Sequence, residues 1–144
     1  MIERIFHENQ LLSIIIRSSF QKEGIEFFTE DQFSQQLGYM NRRKGYVIPP
    51  HRHNLIARKV DLTQEVLYIK SGRVRVDFYD DQQLYLESRE LCAGDVILLA
   101  HGGHGFEMLD QSEIIEVKQG PYCGEEDKVR FDPVTPENIT IKNG

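Results

Sequence analysis

The chain of 144 residues holds only two cysteines, Cys92 and Cys123. That is too few for a disulfide framework, and they read as ordinary thiols of a reducing compartment. Long hydrophobic runs are missing as well. The apolar stretch 11–16 falls far short of the roughly 20 residues that span a bilayer. Glu3, His7, Glu8 and Asn9 ahead of it do not make a secretory leader, so a cytosolic protein is expected. Basic charge is scarce too. The formal net charge is -6 and the pI is near 5.4, without the cationic stripe of a protein that grips a phosphate backbone. Arg42-Arg43-Lys44 is short and reads as a solvated loop. Nor is there an internal repeat or a low-complexity tract.

What is present is an ordinary globular composition, 40% hydrophobic and 28% charged, in a length that suits one domain. Residues 1–28 carry Ile14-Ile15-Ile16 and Phe27-Phe28, types that favour strands. From Thr29 a short helix is expected through about residue 37. Thr29 would cap it with Gln32 three residues on, Phe33 and Leu37 would share a face, and Gly38 would end it. After Pro49-Pro50 the texture is β throughout. Residues 65–70, 73–79 and 82–91 read as strands, and Ala93-Gly94-Asp95 turns into 96–99. Residues 106–109 and 114–118 read as a further pair around 110–112. The Arg73, Arg75, Asp77 and Tyr79 face reads as solvated sheet. Residues 128–131 read as an edge strand, and 139–142 as at most a short terminal one. Turns recurring every 8–12 residues point to an all-β barrel or sandwich.

Two stretches carry chemistry. The first is Gly45-Tyr-Val-Ile-Pro-Pro-His51-Arg-His53, followed later by Glu65 and Gly72; the second is Gly94 through His101-Gly-Gly-His104-Gly. Residues two apart on a strand share a face, so His51 and His53 would point the same way. Glu65 alternates with the core residues Leu67 and Ile69 and would be an inward carboxylate, costly to bury without a partner. His104 alternates with Phe106 and Met108 and would also point inward, with His101 in the preceding loop as the competitor. Three imidazoles and a carboxylate converging are a metal-ligand set. Glu116 and Lys118 share a strand face with Ile114. They are candidates for substrate contact if inward, and plain surface if outward. Tyr68, Arg58 and Tyr46 are further candidates at the mouth.

These motifs resemble those of the cupins, small jelly-roll β-barrels. The first cupin motif is G-x5-H-x-H-x3,4-E-x6-G. Gly45, His51 and His53 match its first half, and Glu65 and Gly72 its second. Eleven residues stand between His53 and Glu65, where the family has three or four. The second motif is G-x5-P-x-G-x2-H-x3-N. Gly94 and Gly102 fit it, Ala100 replaces the proline, His104 comes one residue early, and no asparagine follows.

The resemblance covers about 44–120. It implies N-terminal strands and a short helix over 1–43 packing on a barrel of 44–120, then a C-terminal loop and edge segment over 121–144. It further implies one divalent transition metal (Fe, Mn, Ni or Zn) held by His51, His53, Glu65 and His104. The activity expected is that of a small-molecule enzyme of oxygenase or isomerase type. A metal-independent nucleotide-sugar epimerase or isomerase is the alternative, with one of the histidines as base, Tyr68 as acid, and Arg52, Arg58 and Lys59 for a diphosphate. A non-catalytic ligand-binding module is the third reading. A homodimer is expected, formed through the β-rich N-terminal residues.

Overall fold

The computed structural model describes residues 1–143. Among these the chain is all-β, with ten strands in three sheets. β1 (Ile2–His7) and β2 (Gln10–Ile16) form an antiparallel hairpin. Glu8 and Asn9 turn it with φ of 47° and 66°, the left-handed pair whose twist suits a two-residue hairpin. β2 pairs with β8 (Val96–Leu99), β8 with β5 (Glu65–Ser71), and β5 with β10 (Glu113–Lys118). The larger sheet thus runs β1-β2-β8-β5-β10. The N-terminal strands are part of it rather than an addition to its outside. The second sheet has β6 (Arg73–Tyr79) at its centre, between β7 (Tyr85–Cys92) and β9 (Gly103–Met108). β3 (Gly24–Phe27) and β4 (Gly38–Asn41) pair as a third, two-stranded sheet.

The two main sheets enclose the core. Ile15, Leu67, Ile97 and Leu99 of the larger meet Val74, Val76, Phe78 and Leu91 of the smaller, all buried. On the back of the larger sheet, Ile14, Ile16 and Leu98 are covered by Phe28 and Leu37, next to the β3–β4 hairpin. β2 is therefore buried on both faces, which is why its sequence is apolar from Leu11 on except at Ser13, whose hydroxyl donates to the Leu98 carbonyl at 2.7 Å.

Four expectations change. First, no helix forms over 30–37. The Gln36 amide instead donates to the carbonyls of Glu30, Asp31 and Phe33, and Gln64, far along the chain, accepts from the Gln35 N–H and the Ser34 hydroxyl. Side chains satisfy the backbone groups that a helix would otherwise pair. Second, β9 and β10 do not pair with each other. β9 joins β6 and β10 joins β5, so each is an edge of a different sheet, and no sheet closes into a barrel. Third, of the β6 face bearing Arg73, Arg75, Asp77 and Tyr79 only Arg73 is exposed; Asp77 and Tyr79 are 4% and 3% exposed. The C-terminal segment covers it, with the Phe131 ring 5.0 Å from that of Tyr79 and the Val134 N–H donating to the Tyr79 hydroxyl. Fourth, residues 128–131 form no strand, and 139–142 contribute one isolated bridge, Ile141 to Ser88.

Residues 42–64 form no strand between β4 and β5, and every residue from 40 to 62 is exposed. Among the described residues no helix is long and apolar enough to cross a membrane.

Candidate functional site at the mouth of the sandwich

β5 begins with Glu65, which lies opposite Lys118 of β10 and Leu99 of β8. Alternation with the buried Leu67 and Ile69 turns its carboxylate between the sheets. From the facing sheet comes His104, opposite Phe78 of β6. Gly102 sets the approach. Its φ is +75°, and a Cβ there would lie 2.7 Å from the Tyr79 carbonyl oxygen, so only glycine makes this turn without strain. Two residues later the His104 ring packs edge-on to Phe106 at 5.6 Å.

These strands bring together an imidazole, two carboxylates and an ammonium. His104 Nε2 is 3.8 Å from Glu65 Oε2, and Lys118 Nζ is 3.6 Å from Glu65 Oε1 and 3.4 Å from Glu116 Oε1. The first contact is longer than a hydrogen bond. Burial lowers the His104 pKa, opposed by Glu116 and aided by Lys118 and Lys128, so the imidazole is held neutral. Burial also raises the Glu65 pKa; Glu116 adds to the rise, and Lys118 opposes it. The two carboxylates raise that of Lys118. Beside the cluster opens a cavity of about 520 Å³, lined by Glu65, His104, Tyr79, Lys128 and Phe131 among others. That size and mixed lining are those of small-molecule sites.

The expected residues divide between two places. Glu65 and His104 meet as expected, and Lys118 and Glu116 reach the Glu65 carboxylate while both remain exposed to solvent. His51 and His53 do not join them. Their rings stack edge-on at 5.4 Å on the exposed loop, with His51 Nδ1 2.9 Å from the Pro49 carbonyl. Pro49 and Pro50 cannot donate to a sheet ladder, and this stretch forms no strand. His101 turns elsewhere, with Nδ1 3.1 Å from the Leu11 carbonyl and its ring against Phe33. Tyr68 is exposed, on the opposite face of β5 from Glu65, so it does not pair with His104. Arg58 and Tyr46 lie on the exposed loop, and the Arg42 guanidinium sits 4.4 Å over the Tyr46 ring.

As placed, the four expected metal ligands do not make a centre. Among the described residues no three His, Cys, Asp or Glu side chains lie together suitably for a metal ion. The cavity wall made by Tyr79, Lys128 and Phe131 was not expected from sequence. Its one signal is the large aromatic Phe131 in the C-terminal tail.

No protein-family model matches the chain, and neither a curated protein nor a solved structure matches it.

Proposed function

We propose that the cavity at the mouth binds a small polar molecule and that His104 acts on it as a base. The observation that carries this reading is the meeting of a neutral imidazole and a carboxylate of raised pKa in one concave site. A neutral imidazole can accept a proton from a ligand C–H or O–H. Once protonated, it becomes the ion-pair partner of Glu65, which favours the transfer. The anion left on the ligand would meet Lys128 of the cavity lining. An isomerase of enolisable carbonyl compounds fits this chemistry, as does a binding module for an acidic small molecule. The test is an NMR screen of 2-oxo acids, diols and nucleotide sugars against the wild type and His104→Ala. Ligands that shift the His104 ring resonances, and that bind at least about tenfold more weakly to the variant, are expected. Binding that ignores the substitution, or no binding at all, overturns the reading.

A second reading, a metal-dependent cupin-like enzyme, is favoured by one observation: the His51 and His53 rings already stand side by side. With Glu65 and His104 they would complete a His3Glu set if the loop that bears them closed over the mouth. The bound metal would act as a Lewis acid toward substrate, water or dioxygen. This reading expects about one transition metal per chain in protein purified without supplementation, and its loss in His53→Ala. Equal metal content in the two proteins rules it out.

A further inference from the structure

The stretch 42–62 is exposed along its whole length. Along it Tyr46, Val47, Ile48, Leu55 and Ile56 are 54%, 74%, 51%, 105% and 60% exposed. Large apolar side chains left this exposed at several positions of one segment point to an interaction site. Among the described residues, no backbone–backbone hydrogen bond involves residues 47–62, so apart from Pro49 and Pro50 their N–H and C=O groups are open to pairing. The arm also differs in charge from the rest. It carries Arg42, Arg43, Lys44, Arg52, Arg58 and Lys59 against Asp61 alone, a net +5; the whole chain is -6, so the remainder is -11.

The complementary surface is on the same molecule. β9 and β10 are the edges of the two main sheets and leave the sandwich open along one side. Residues 103–118, which contain both strands, hold Glu107, Asp110, Glu113 and Glu116 against a single Lys118. Met108, Ile115 and Val117 on these strands are 49%, 53% and 54% exposed. An unpaired edge with apolar and acidic side chains is a template for an added strand, and a cationic apolar strand suits it.

We infer that the arm of one copy docks along the open β9/β10 side of a second copy, and that the exchange is reciprocal, giving a two-fold dimer. A second copy is the occupant because the arm matches this edge in both charge and apolarity while its middle, 46–58, stays exposed. At roughly 3.3 Å per extended residue it is long enough to reach across to a neighbour. Exchange of an identical element is a low-cost route to a symmetric dimer. It differs from the expected dimer through the N-terminal strands, which are paired within their own sheet. The inference stands apart from the reading of His104 as a base and competes with the metal reading, in which the same arm closes over its own mouth; its stoichiometry is measured without ligand or metal.

The test is light scattering and sedimentation of the full chain, with the double variant Leu55→Asp/Ile56→Asp. Both positions are exposed in the single chain, so the variant keeps the fold, checked by circular dichroism. A wild-type dimer is expected, with association weakened at least about 100-fold in the variant. Mixing Ile56→Cys with Met108→Cys chains should give a disulfide-linked heterodimer under mild oxidation. A wild-type monomer at all concentrations overturns the inference and leaves the arm to close on its own chain. A dimer that the double variant leaves intact overturns it as well. So does failure of the mixed cysteines to cross-link when the protein is dimeric.

Discussion

The two long sides of the sandwich are built on opposite principles. On one side β1 and β7 are the sheet edges, and buried charges stitch them together. Arg17 pairs with Glu3 of β1, donates 2.9 Å to Asp95 and 2.7 Å to the Glu90 carbonyl of β7, and Arg89 of β7 is 3.4 Å from Glu3. Asp95 also accepts the N–H groups of Ser18 and Cys92, each at 2.8 Å. The C-terminal segment then covers β7 through Ile141 and Lys142. On the other side β9 and β10 are sheet edges, and among the described residues the ionisable contact between the sheets at their mouth is loose, His104 to Glu65 at 3.8 Å. Buried charges held by several hydrogen bonds, as Asp95 is, lock a structure, even though Arg89 Nε and Nη1 find no hydrogen-bond partner among the described residues; charges held near each other with room between them are available for chemistry. The closed side is structural, and the open side is where the proposed binding would take place.

The largest effect is expected from breaking the closed side. Asp95→Ala removes the acceptor of a guanidinium and of two backbone N–H groups. Deleting one partner of a buried, hydrogen-bonded ion pair costs about 3–5 kcal/mol. Urea unfolding should show a loss of that size. A loss under about 1 kcal/mol would mean that the two sides are not different in kind.

The contrast also explains how much the sequence discloses. Strand content was legible because alternation and turn residues are local: Glu65 with Leu67 and Ile69, or the turn at Gly72, can be read from a few neighbours. The inward aim of Glu65 and His104 followed from the same parity. What was not legible depends on distant partners. The helix at 30–37 was lost to Gln36 and Gln64 side chains, and no capping pattern foretells an acceptor from elsewhere in the chain. Parity put Arg75, Asp77 and Tyr79 on one face of β6, but only the C-terminal segment decides that this face is covered. Parity likewise grouped Glu116 with Lys118 without telling inside from outside. Asp95 looked like an ordinary turn residue, because its partners Arg17, Ser18 and Cys92 meet it only in the folded chain. His51 and His53 have the spacing of strand neighbours, but a strand needs an edge to pair with, and their own chain does not supply one in this structure.

The smallest effect tests the open side with the opposite sign. Glu65→Gln should stabilise the protein at neutral pH, by under about 1 kcal/mol, where Asp95→Ala destabilises it. The Glu65 pKa is raised mainly by burial, with Glu116 second. Folded protein therefore holds this proton more tightly than unfolded chain does. The stability linked to it is fully present below the ordinary glutamate range and is lost as pH rises through the elevated value. Glutamine stays neutral and avoids that loss. One effect runs the other way: Glu65 is the largest cause of the raised Lys118 pKa, so the substitution also removes an attraction. Lys118 is 36% exposed and keeps Glu116 at 3.4 Å, and a pair so accessible to water contributes little. The Glu65 carboxylate is 15% exposed, so its desolvation outweighs the lost pair. Melting temperatures of the two proteins should differ most at pH 7–8 and converge as pH falls below the ordinary glutamate value of 4.5. A variant less stable than wild type at neutral pH would show that Glu65 is as firmly partnered as Asp95, and the proposed division between a locked side and a working side would fail.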